Sequence, residues 1–233
     1  MTILGTTMRL AALCGLMCVA VNPAMAQDSL LLAGAEVSDQ AGYAYLGSII
    51  PIGDGVLGNG WVHRLWLDHN RYQYESGSRD IHVERSATEY ALGYHGGTPQ
   101  KSYAIYLGAG YAHTTVDPVD PKFDERGGKV RARMSGELGI ELPLAWRGDL
   151  IASHTFGRSD YWLRGRFTHA AGKFRVGPEF IAQGDENYSM TKLGLLFSGI
   201  PLGKQGNLML KAGEVWDDTR AKPYAGIEFT MPY

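Results

Sequence analysis

The last nine residues of the chain, AGIEFTMPY (225–233), alternate between apolar and other side chains up to an aromatic terminus. Chain ends are usually polar and frayed, so a terminal stretch of this kind needs a structural reason. Alternation with a period of two residues predicts a β-strand whose two faces meet different surroundings. Outer-membrane β-barrels generally end in such a strand, with a terminal Phe, Tyr or Trp that the barrel assembly machinery reads. We expect this assembly signal to consist of Ile227, Phe229, Met231 and Tyr233.

The same alternation recurs along the chain and indicates how many strands accompany the last one. Clusters rich in Gly, Asp, Asn and Pro separate the alternating stretches, as turns do. Counting the stretches predicts about twelve strands, an even number within the range of single-chain outer-membrane barrels. The predicted spans are 29–37, 41–51, 60–75, 80–95, 101–115, 128–141, 144–157, 159–170, 172–184, 187–200, 206–216 and 222–232.

Alternation alone does not say which face of the strands is buried. Aromatic residues bracket the apolar faces near the strand ends, as Tyr103 and Tyr111 do on one strand and Trp146 and Phe156 on another. Eight to ten residues at about 3.3 Å each, tilted by about 40°, span roughly the lipid-facing band of a membrane barrel. Gly and Ala share the polar faces, where small side chains relieve crowding in a narrow lumen. We therefore predict an all-β, antiparallel outer-membrane β-barrel, with a secreted soluble barrel or sandwich as the alternative. Pro232 lacks a backbone donor and stays unexplained.

The N-terminus has the features of an export signal. Arg9 precedes the apolar run 10–21, which is too short to span a bilayer, and Ala24-Met25-Ala26 supplies an A-x-A cleavage site. The translation start is either Met1 or Met8. We expect two parts in the chain: a cleaved signal peptide, 1–26, and a transmembrane β-barrel, 27–233.

Composition excludes several classes of function. Cys14 and Cys18 both lie in the predicted signal, so the remaining chain can form no disulfide, Cys-ligated zinc site or cysteine nucleophile. Of 22 basic residues only Arg9 lies in that segment, which leaves 21 basic against 24 acidic residues, or a net charge of −3. Nucleic-acid binders show a basic excess instead. After the signal, no apolar run approaches the roughly 18 residues of a membrane helix.

The lengths of the connections fit a barrel with both termini in the periplasm. The longest, Val116–Gly128, then falls on the outside, and the short connections 141–143 and 170–173 fall on the periplasmic side. Its segment DPVDPKFDE (117–125) is rich in acids but lacks EF-hand spacing, so we interpret it as a solvated outer loop.

Charged residues recur on the polar faces of the predicted strands. One interpretation is a path or site for an anionic group such as a phosphate or uronate, which guanidinium groups bind bidentately. The favoured interpretation is a network of ion pairs that fills and rigidifies the lumen, because acids are interspersed with the arginines. The predicted lumen-facing residues are Arg131, Arg133, Glu137, Arg147, Asp149, Arg164, Arg166, Arg175, Glu179, Lys192, Lys211 and Glu228.

A neutral glycan would be bound by exposed aromatic rings rather than by arginines. The sequence offers five candidates for stacking on sugar rings, and the competing and favoured interpretation of the same residues is an interfacial girdle. The candidates are Trp61, Trp66, Tyr72, Tyr74 and Trp162.

A lipid-modifying barrel enzyme is a further alternative and would need a His with a nearby Ser and acid. His113 is followed by Thr114 and Thr115, and His154 follows Ser153. Neighbouring residues on a strand point to opposite faces, so Ser153 and His154 do not form a nucleophile–base pair directly. No G-x-S-x-G motif is present, and the seven histidines lack metal-ligand spacing. We therefore predict no catalytic residues, metal or cofactor.

Four segments resemble one protein family. The stretch 42–76 with its LGNGWV segment, HTFGRSDYWLRGRF (154–167), VGPEFIAQGDENY (176–188) and LKAGEVW (210–216) are similar to BcsS-type cellulose biosynthesis proteins of proteobacteria. The resemblance covers nearly all of the mature chain. It implies a place in a cellulose or exopolysaccharide operon, an outer-membrane location, and an accessory rather than catalytic role.

The partners expected on this basis are outer-membrane lipid, the barrel assembly machinery, and cellulose or another exopolysaccharide with its secretion components. The mode of action expected is scaffolding or glycan contact at the cell surface rather than polymer conduction, because about twelve strands leave a lumen that side chains largely fill. A structural or adhesive barrel acting through Val116–Gly128 is a further alternative.

Overall fold

The computed structural model describes residues 29–158, 160–185, 189–216 and 221–233, and the predicted signal peptide lies outside them. Among the described residues, no helix is long and apolar enough to cross a membrane. The described chain forms twelve strands: β1 (Leu30–Ser38), β2 (Ala41–Pro51), β3 (Gly60–Ser76), β4 (Arg79–Thr98), β5 (Lys101–Asp117), β6 (Gly127–Leu142), β7 (Trp146–Thr155), β8 (Asp160–Ala171), β9 (Phe174–Gly184), β10 (Ser189–Leu202), β11 (Gly206–Trp216) and β12 (Ala221–Pro232).

The strands form one closed antiparallel barrel in which each strand pairs with the next along the chain. β1 and β12 close it, with a register that runs from Leu30 opposite Pro232 to Ser38 opposite Tyr224. Closure leaves no free sheet edge. The predicted fold class and strand number are confirmed, and the strand spans agree to within a few residues.

The closing pair also explains Pro232. The Tyr233 N–H donates to the Ser29 carbonyl at 2.9 Å, and the Ser29 N–H donates to the Tyr233 carbonyl at 3.2 Å. In an antiparallel ladder the backbone groups of the preceding residue point to the other neighbour, here β11. The β11–β12 ladder ends at Asn207 opposite Thr230, so the missing donor of Pro232 faces no partner strand. The proline therefore costs the barrel no ladder hydrogen bond.

The outer surface of the barrel carries its apolar side chains. Leu107, Val130 and Leu195 are 62%, 74% and 65% exposed, and they recur with leucines, valines and aromatics around the wall. A soluble sandwich would bury this face, whereas a membrane barrel turns it to lipid. The interior instead holds charged groups, and the Glu179 side chain is fully buried.

Aromatic rings lying over glycines fill part of the interior. A Cβ at Gly34 would overlap the Tyr45 ring, and one at Gly47 would overlap the Trp66 ring. The Tyr45 and Trp66 rings stack on each other with centroids 4.7 Å apart. Small residues on the inner face therefore make room for large rings from the neighbouring strand.

The end of the interior at which both chain termini lie, here called the periplasmic end in contrast to the outer end opposite, is closed on one side by an inward-folded loop. Leu57 of loop 52–59 packs against a buried cluster that includes Val62 and Tyr106. The Gly58 N–H donates to His95 Nδ1 at 3.3 Å, and His95 Nε2 lies 2.7 Å from the Tyr106 hydroxyl. The loop thereby covers the part of the lumen beside β2 to β5.

Strands β3, β4 and β5 are longer than a membrane crossing requires. They have 17, 20 and 17 residues, whereas about 9–11 residues cross a bilayer. The excess lies at the outer ends of these strands, beside the nine-residue connection 118–126. This asymmetry places a small structured region at the outer end of the barrel, opposite the chain termini.

Candidate functional site: the outer mouth and the interior ion pairs

The inner face of the β3–β5 extension carries a second apolar cluster. Ile81, Val83 and Val116 are buried there, and Tyr72 and Tyr74 pack against them. Alternation in β3 and β4 turns these side chains toward the barrel axis, above the lipid-facing band. The extended ends of β3 to β5, here called the ledge, are therefore a packed part of the fold rather than a loose hairpin.

The connection 118–126, here called the outer loop, folds onto this ledge. The Phe123 ring lies 6.4 Å from the Tyr74 ring at an interplanar angle of 21°, and Tyr74 lies 6.4 Å from Tyr72. These three rings form the outer aromatic cluster. The Tyr74 hydroxyl donates to Asp120 Oδ2 at 3.0 Å, which fixes the loop beside the rings.

The outer loop is also held by its own backbone and by ion pairs. The Lys122 N–H donates to Asp120 Oδ1 at 3.0 Å and holds the pKa of Asp120 below its usual range. Arg131 donates to both oxygens of Glu125, at 2.6 and 2.8 Å. This bidentate pair holds the pKa of Glu125 below its usual range. The loop is tied to the first residues of β6.

Arg158 connects the outer loop to two other outer connections. Its guanidinium lies 3.8 Å from Glu125 and 3.1 Å from Asp160, and it pairs closely with Asp185. The connections after β5, β7 and β9 are therefore joined by one cation. This network of ion pairs fixes the positions of the outer connections without a covalent cross-link.

Deeper in the lumen, one group of charges links β3, β4, β6 and β7. Glu89 accepts from Arg64 at 2.7 Å and from Arg133 at 3.3 Å. Arg64 also donates to Ser135 at 2.9 Å, and Arg133 donates to Ser153 at 2.8 Å. The Arg64 guanidinium lies 4.0 Å from the centroid of the Tyr106 ring. Two of these hydrogen bonds, from Arg64 to Ser135 and from Arg133 to Glu89, join strands that are not neighbours in the wall.

A second group centres on Glu228 of β12. Its carboxylate lies 2.8 Å from Arg166, 3.1 Å from Lys211 and 3.2 Å from Arg164. Arg164 and Arg166 come from β8, four strands away in the wall, so these pairs cross the lumen. A buried carboxylate with three cationic partners is a structural anchor.

Glu36 and Glu179 extend the second group to the rest of the wall. Lys211 lies 2.9 Å from Glu36 and 3.3 Å from Glu179, and Lys192 pairs closely with Glu36. Arg166 donates to Glu179 at 2.5 Å. Strands β1, β8, β9, β10, β11 and β12 are thus joined through one set of charges.

At the periplasmic rim the ion pairs are more exposed. Arg147 donates to Asp149 at 2.8 Å and to Glu141 at 2.7 Å. Arg175 donates to Thr168 at 3.1 Å and lies 3.6 Å from Glu141. Exposed pairs of this kind contribute about 0–1 kcal/mol each.

The structure turns all twelve predicted charged residues inward and gives each at least one ion-pair partner. Sequence reasoning missed five of the partners, because the alternation of β1, β3 and β4 was broken and the acids in the outer loop and at the end of β6 carried no pattern. For Glu36, Arg64 and Glu89 a signal was available: each occupies a position that alternation turns to the inner face of β1, β3 or β4. The missed partners are Glu36, Arg64, Glu89, Glu125 and Glu141. Arg158 and Asp185, which sequence reasoning also missed, pair with each other.

The five aromatic candidates do not form one site. Tyr72 and Tyr74 meet in the outer aromatic cluster. Trp61 is 54% exposed on the lipid-facing surface, where it contacts Tyr94 edge to face. Trp66 lies inside against Tyr45, and Trp162 lies inside with the Arg164 guanidinium 5.3 Å from its ring. The expectation of an interfacial girdle fits only Trp61, because alternation turns the other four rings inward.

The two histidines considered for an enzyme lie apart on the outer surface. His113 is in register with Gly128 of β6, and His154 with Met134 of the same strand. Six residues along a strand correspond to about 20 Å, so the two imidazoles share no site. Ser153 points inward and accepts from Arg133, on the opposite face from the neighbouring imidazole. Within the described part of the chain, no three His, Cys, Asp or Glu residues could hold a metal ion.

Solved structures with the same architecture confirm the fold class. The translocator domain of autotransporter NalP from Neisseria meningitidis has a TM-score of 0.53 at 9% identity, covering 88% of this chain and 89% of that chain. The beta domain of the Bordetella autotransporter Brka has a TM-score of 0.51 at 14% identity, with coverage of 89% and 100%. KdgM porin in complex with disordered oligogalacturonate has a TM-score of 0.50 at 11% identity, with coverage of 85% and 97%. At such identities the likeness concerns the fold alone.

A comparison with curated proteins finds no match. A family model does match, under the description cellulose biosynthesis protein BcsS, over residues 30–233. That range begins at the first residue of β1 and ends at the terminal tyrosine, so it covers the whole barrel. The chain belongs to the BcsS family of cellulose biosynthesis proteins, with the fold of an outer-membrane β-barrel.

Proposed function

We propose that this protein is a non-catalytic accessory of cellulose or exopolysaccharide secretion that contacts the glucan at the cell surface. The observation that carries the proposal is the outer aromatic cluster. It lies beyond the lipid-facing band, on strands longer than the membrane requires, in a family defined by cellulose biosynthesis.

The chemistry of the cluster suits a neutral glucan. Cellulose carries no charge and presents the apolar faces of its pyranose rings, on which aromatic rings stack. Tyr72, Tyr74 and Phe123 offer three such rings, all partly rather than fully buried.

The interior supports scaffolding rather than polymer conduction. Ion pairs centred on Glu89 and Glu228 cross the lumen, and loop 52–59 covers part of the periplasmic end. Breaking such buried pairs to admit a polymer would cost several kcal/mol for each pair. A rigid, filled barrel instead presents its outer mouth in a fixed shape.

The alternative function, a lipid A-modifying hydrolase, would act through His113 or His154. Both residues lie on the outer face of the wall, but they are far apart, and the serine next to the second histidine points into the lumen. The experiment that separates the two functions is a deletion strain complemented with the wild type, with Tyr72→Leu/Tyr74→Leu, or with His113→Ala/His154→Ala.

We expect the double tyrosine variant to lower the cellulose retained at the cell surface, because leucine keeps the apolar packing but lacks the aromatic face. The double histidine variant should restore cellulose fully and leave lipid A unchanged by mass spectrometry. Normal cellulose in the deletion strain together with altered lipid A would replace the proposal with the hydrolase.

A further inference from the structure

A cavity lies at the periplasmic end of the lumen, away from the outer aromatic cluster. Its volume is about 300 Å³. It is bounded by Gly58 of loop 52–59 and by the periplasmic halves of β4 to β8. The polar side chains that line it from inside the barrel are His95, Ser102, Glu137, Arg147, Asp149, Arg164 and Arg166.

The cavity is accessible to solvent from the periplasm. The side chains of Glu137, Arg147 and Asp149 are 36%, 34% and 30% exposed, although all three point into the barrel. Arg147 and Asp149 stand at the periplasmic start of β7, so water that reaches them enters from that end. The buried groups around Glu89 and Glu228 lie further inside.

The charges around the cavity are nearly balanced. Arg147 is satisfied by Asp149 and Glu141, the last 2.7 Å away. Arg166, at the inner limit of the cavity, is satisfied by Glu179 and Glu228. The cavity therefore holds no surplus of cations that would favour a phosphate or a uronate over a neutral ligand.

Two groups at the cavity are less fully engaged than the others. Glu137 lies 3.9 Å from Arg64, at the limit of an ion pair. Arg164 has one hydrogen bond to Glu228, at 3.2 Å, and its ring contact with Trp162. A carboxylate acceptor and a guanidinium donor therefore face the same space. Vicinal sugar hydroxyls, which both donate and accept, match such a pair.

We propose that this cavity is a periplasmic binding site for a neutral saccharide of one or two pyranose units, held by Glu137 and Arg164. Glu137 accepts a hydrogen bond from one hydroxyl, and Arg164 donates to its neighbour. Ala104 and Ile151 complete the wall with apolar surface. The volume of the cavity lies at the lower end of the range for small-ligand pockets, about 300–1,000 Å³. A cavity of this size suits a short sugar rather than a polymer.

The experiment measures cellobiose binding by titration calorimetry on the full barrel in a detergent without a sugar headgroup. It is performed on the wild type and on Tyr72→Leu/Tyr74→Leu, which removes the outer aromatic cluster from the measurement. In each background, Glu137→Gln and Arg164→Gln are compared with Arg85→Gln. Arg85 is an inward-facing arginine that pairs with Asp68 outside the cavity.

We expect saturable cellobiose binding that survives loss of the outer cluster. It should weaken about tenfold or more in Glu137→Gln and in Arg164→Gln, because each loses one charge-assisted hydrogen bond. Arg85→Gln should bind as the wild type does. Heat-modifiable migration on gels shows that each variant is folded.

Three outcomes would overturn the inference. The first is no cellobiose binding by the Tyr72→Leu/Tyr74→Leu variant, and the second is unchanged cellobiose binding by folded Glu137→Gln. The third is tighter binding of glucuronate than of cellobiose. Because the cavity is distinct from the outer aromatic cluster, failure of the cavity proposal leaves the proposed glucan contact at the cell surface unaffected. Failure of the surface contact likewise leaves the cavity proposal unaffected.

Discussion

Gly47 and Gly165 stand on opposite faces of the barrel wall, and the same added methyl group meets different surroundings at each. A Cβ at Gly47 would overlap the Trp66 ring, which the stacked Tyr45 ring holds in place. A Cβ at Gly165 has no atom within 4 Å. At the scale of single residues, the interior is therefore close-packed where the outer face is open.

This contrast predicts unequal effects of two identical substitutions. Gly47→Ala should lower the free energy of unfolding by about 1–3 kcal/mol, the usual cost of overpacking a core. Gly165→Ala should change it by less than about 0.5 kcal/mol. Urea unfolding in detergent, followed by tryptophan fluorescence, measures both. Equal effects would show that the ring does not lie over Gly47 as described.

A second residue-scale prediction concerns Glu228. Glu228→Gln keeps the shape of the side chain but removes the charge that faces Arg164, Arg166 and Lys211. Three cations would then share the remaining acids, and the free energy of unfolding should fall by about 3 kcal/mol or more. Glu75→Gln, on the exposed outer end of β3, is the matched control and should leave the urea midpoint unchanged. A wild-type midpoint for the Glu228 variant would remove this residue as an anchor.

At the scale of elements, the outer loop 118–126 is held in position by a few side-chain contacts. Glu125→Gln removes the bidentate pair with Arg131 and weakens the tie to Arg158. Trypsin should then cleave after Lys122 or Arg126 several-fold faster than in the wild type at neutral pH. Asp54→Asn, in the periplasmic loop, is a matched control. An unchanged cleavage rate would mean that the cluster around Phe123 holds the loop without the ion pair.

The same contact gives the loop a pH dependence. The pKa of Glu125 is held below the ordinary value of 4.5, so the ionised form favours the folded loop. The stabilisation is fully present above pH 4.5 and is lost as the pH falls through the lower pKa of the folded loop. Hydrogen exchange of the loop amides, corrected for the intrinsic rate, should therefore lose protection only below that range. Protection that falls between pH 8 and 6 would contradict this assignment.

Strands could be located from the sequence, whereas the contacts inside the barrel could not. Alternation in β6 and β12 is regular, because each position meets either lipid or the lumen. Arg166 and Glu228 are 62 residues apart and meet through the lumen rather than along a hydrogen-bonded pair of strands, so no local pattern joins them. Trp66 stands between Leu65 and Leu67, and three successive apolar residues hide which face each one takes.

Across the whole molecule, the two ends of the lumen differ in what they present. The outer end carries aromatic rings on a ledge beyond the membrane, and the periplasmic end carries a balanced polar cavity beside loop 52–59. Ion pairs fill the space between them. On the proposals made for its two ends, this barrel would contact a saccharide at each end of the lumen without conducting a polymer.

The most direct test of the central claim is binding of the purified barrel to insoluble cellulose. The wild type and the control Trp61→Leu, which changes a lipid-facing ring, should sediment with cellulose in a sugar-free detergent. Tyr72→Leu/Tyr74→Leu should remain largely in solution, because the outer aromatic cluster has lost two of its three rings. Equal sedimentation of all three proteins, or none by the folded wild type, would contradict the account.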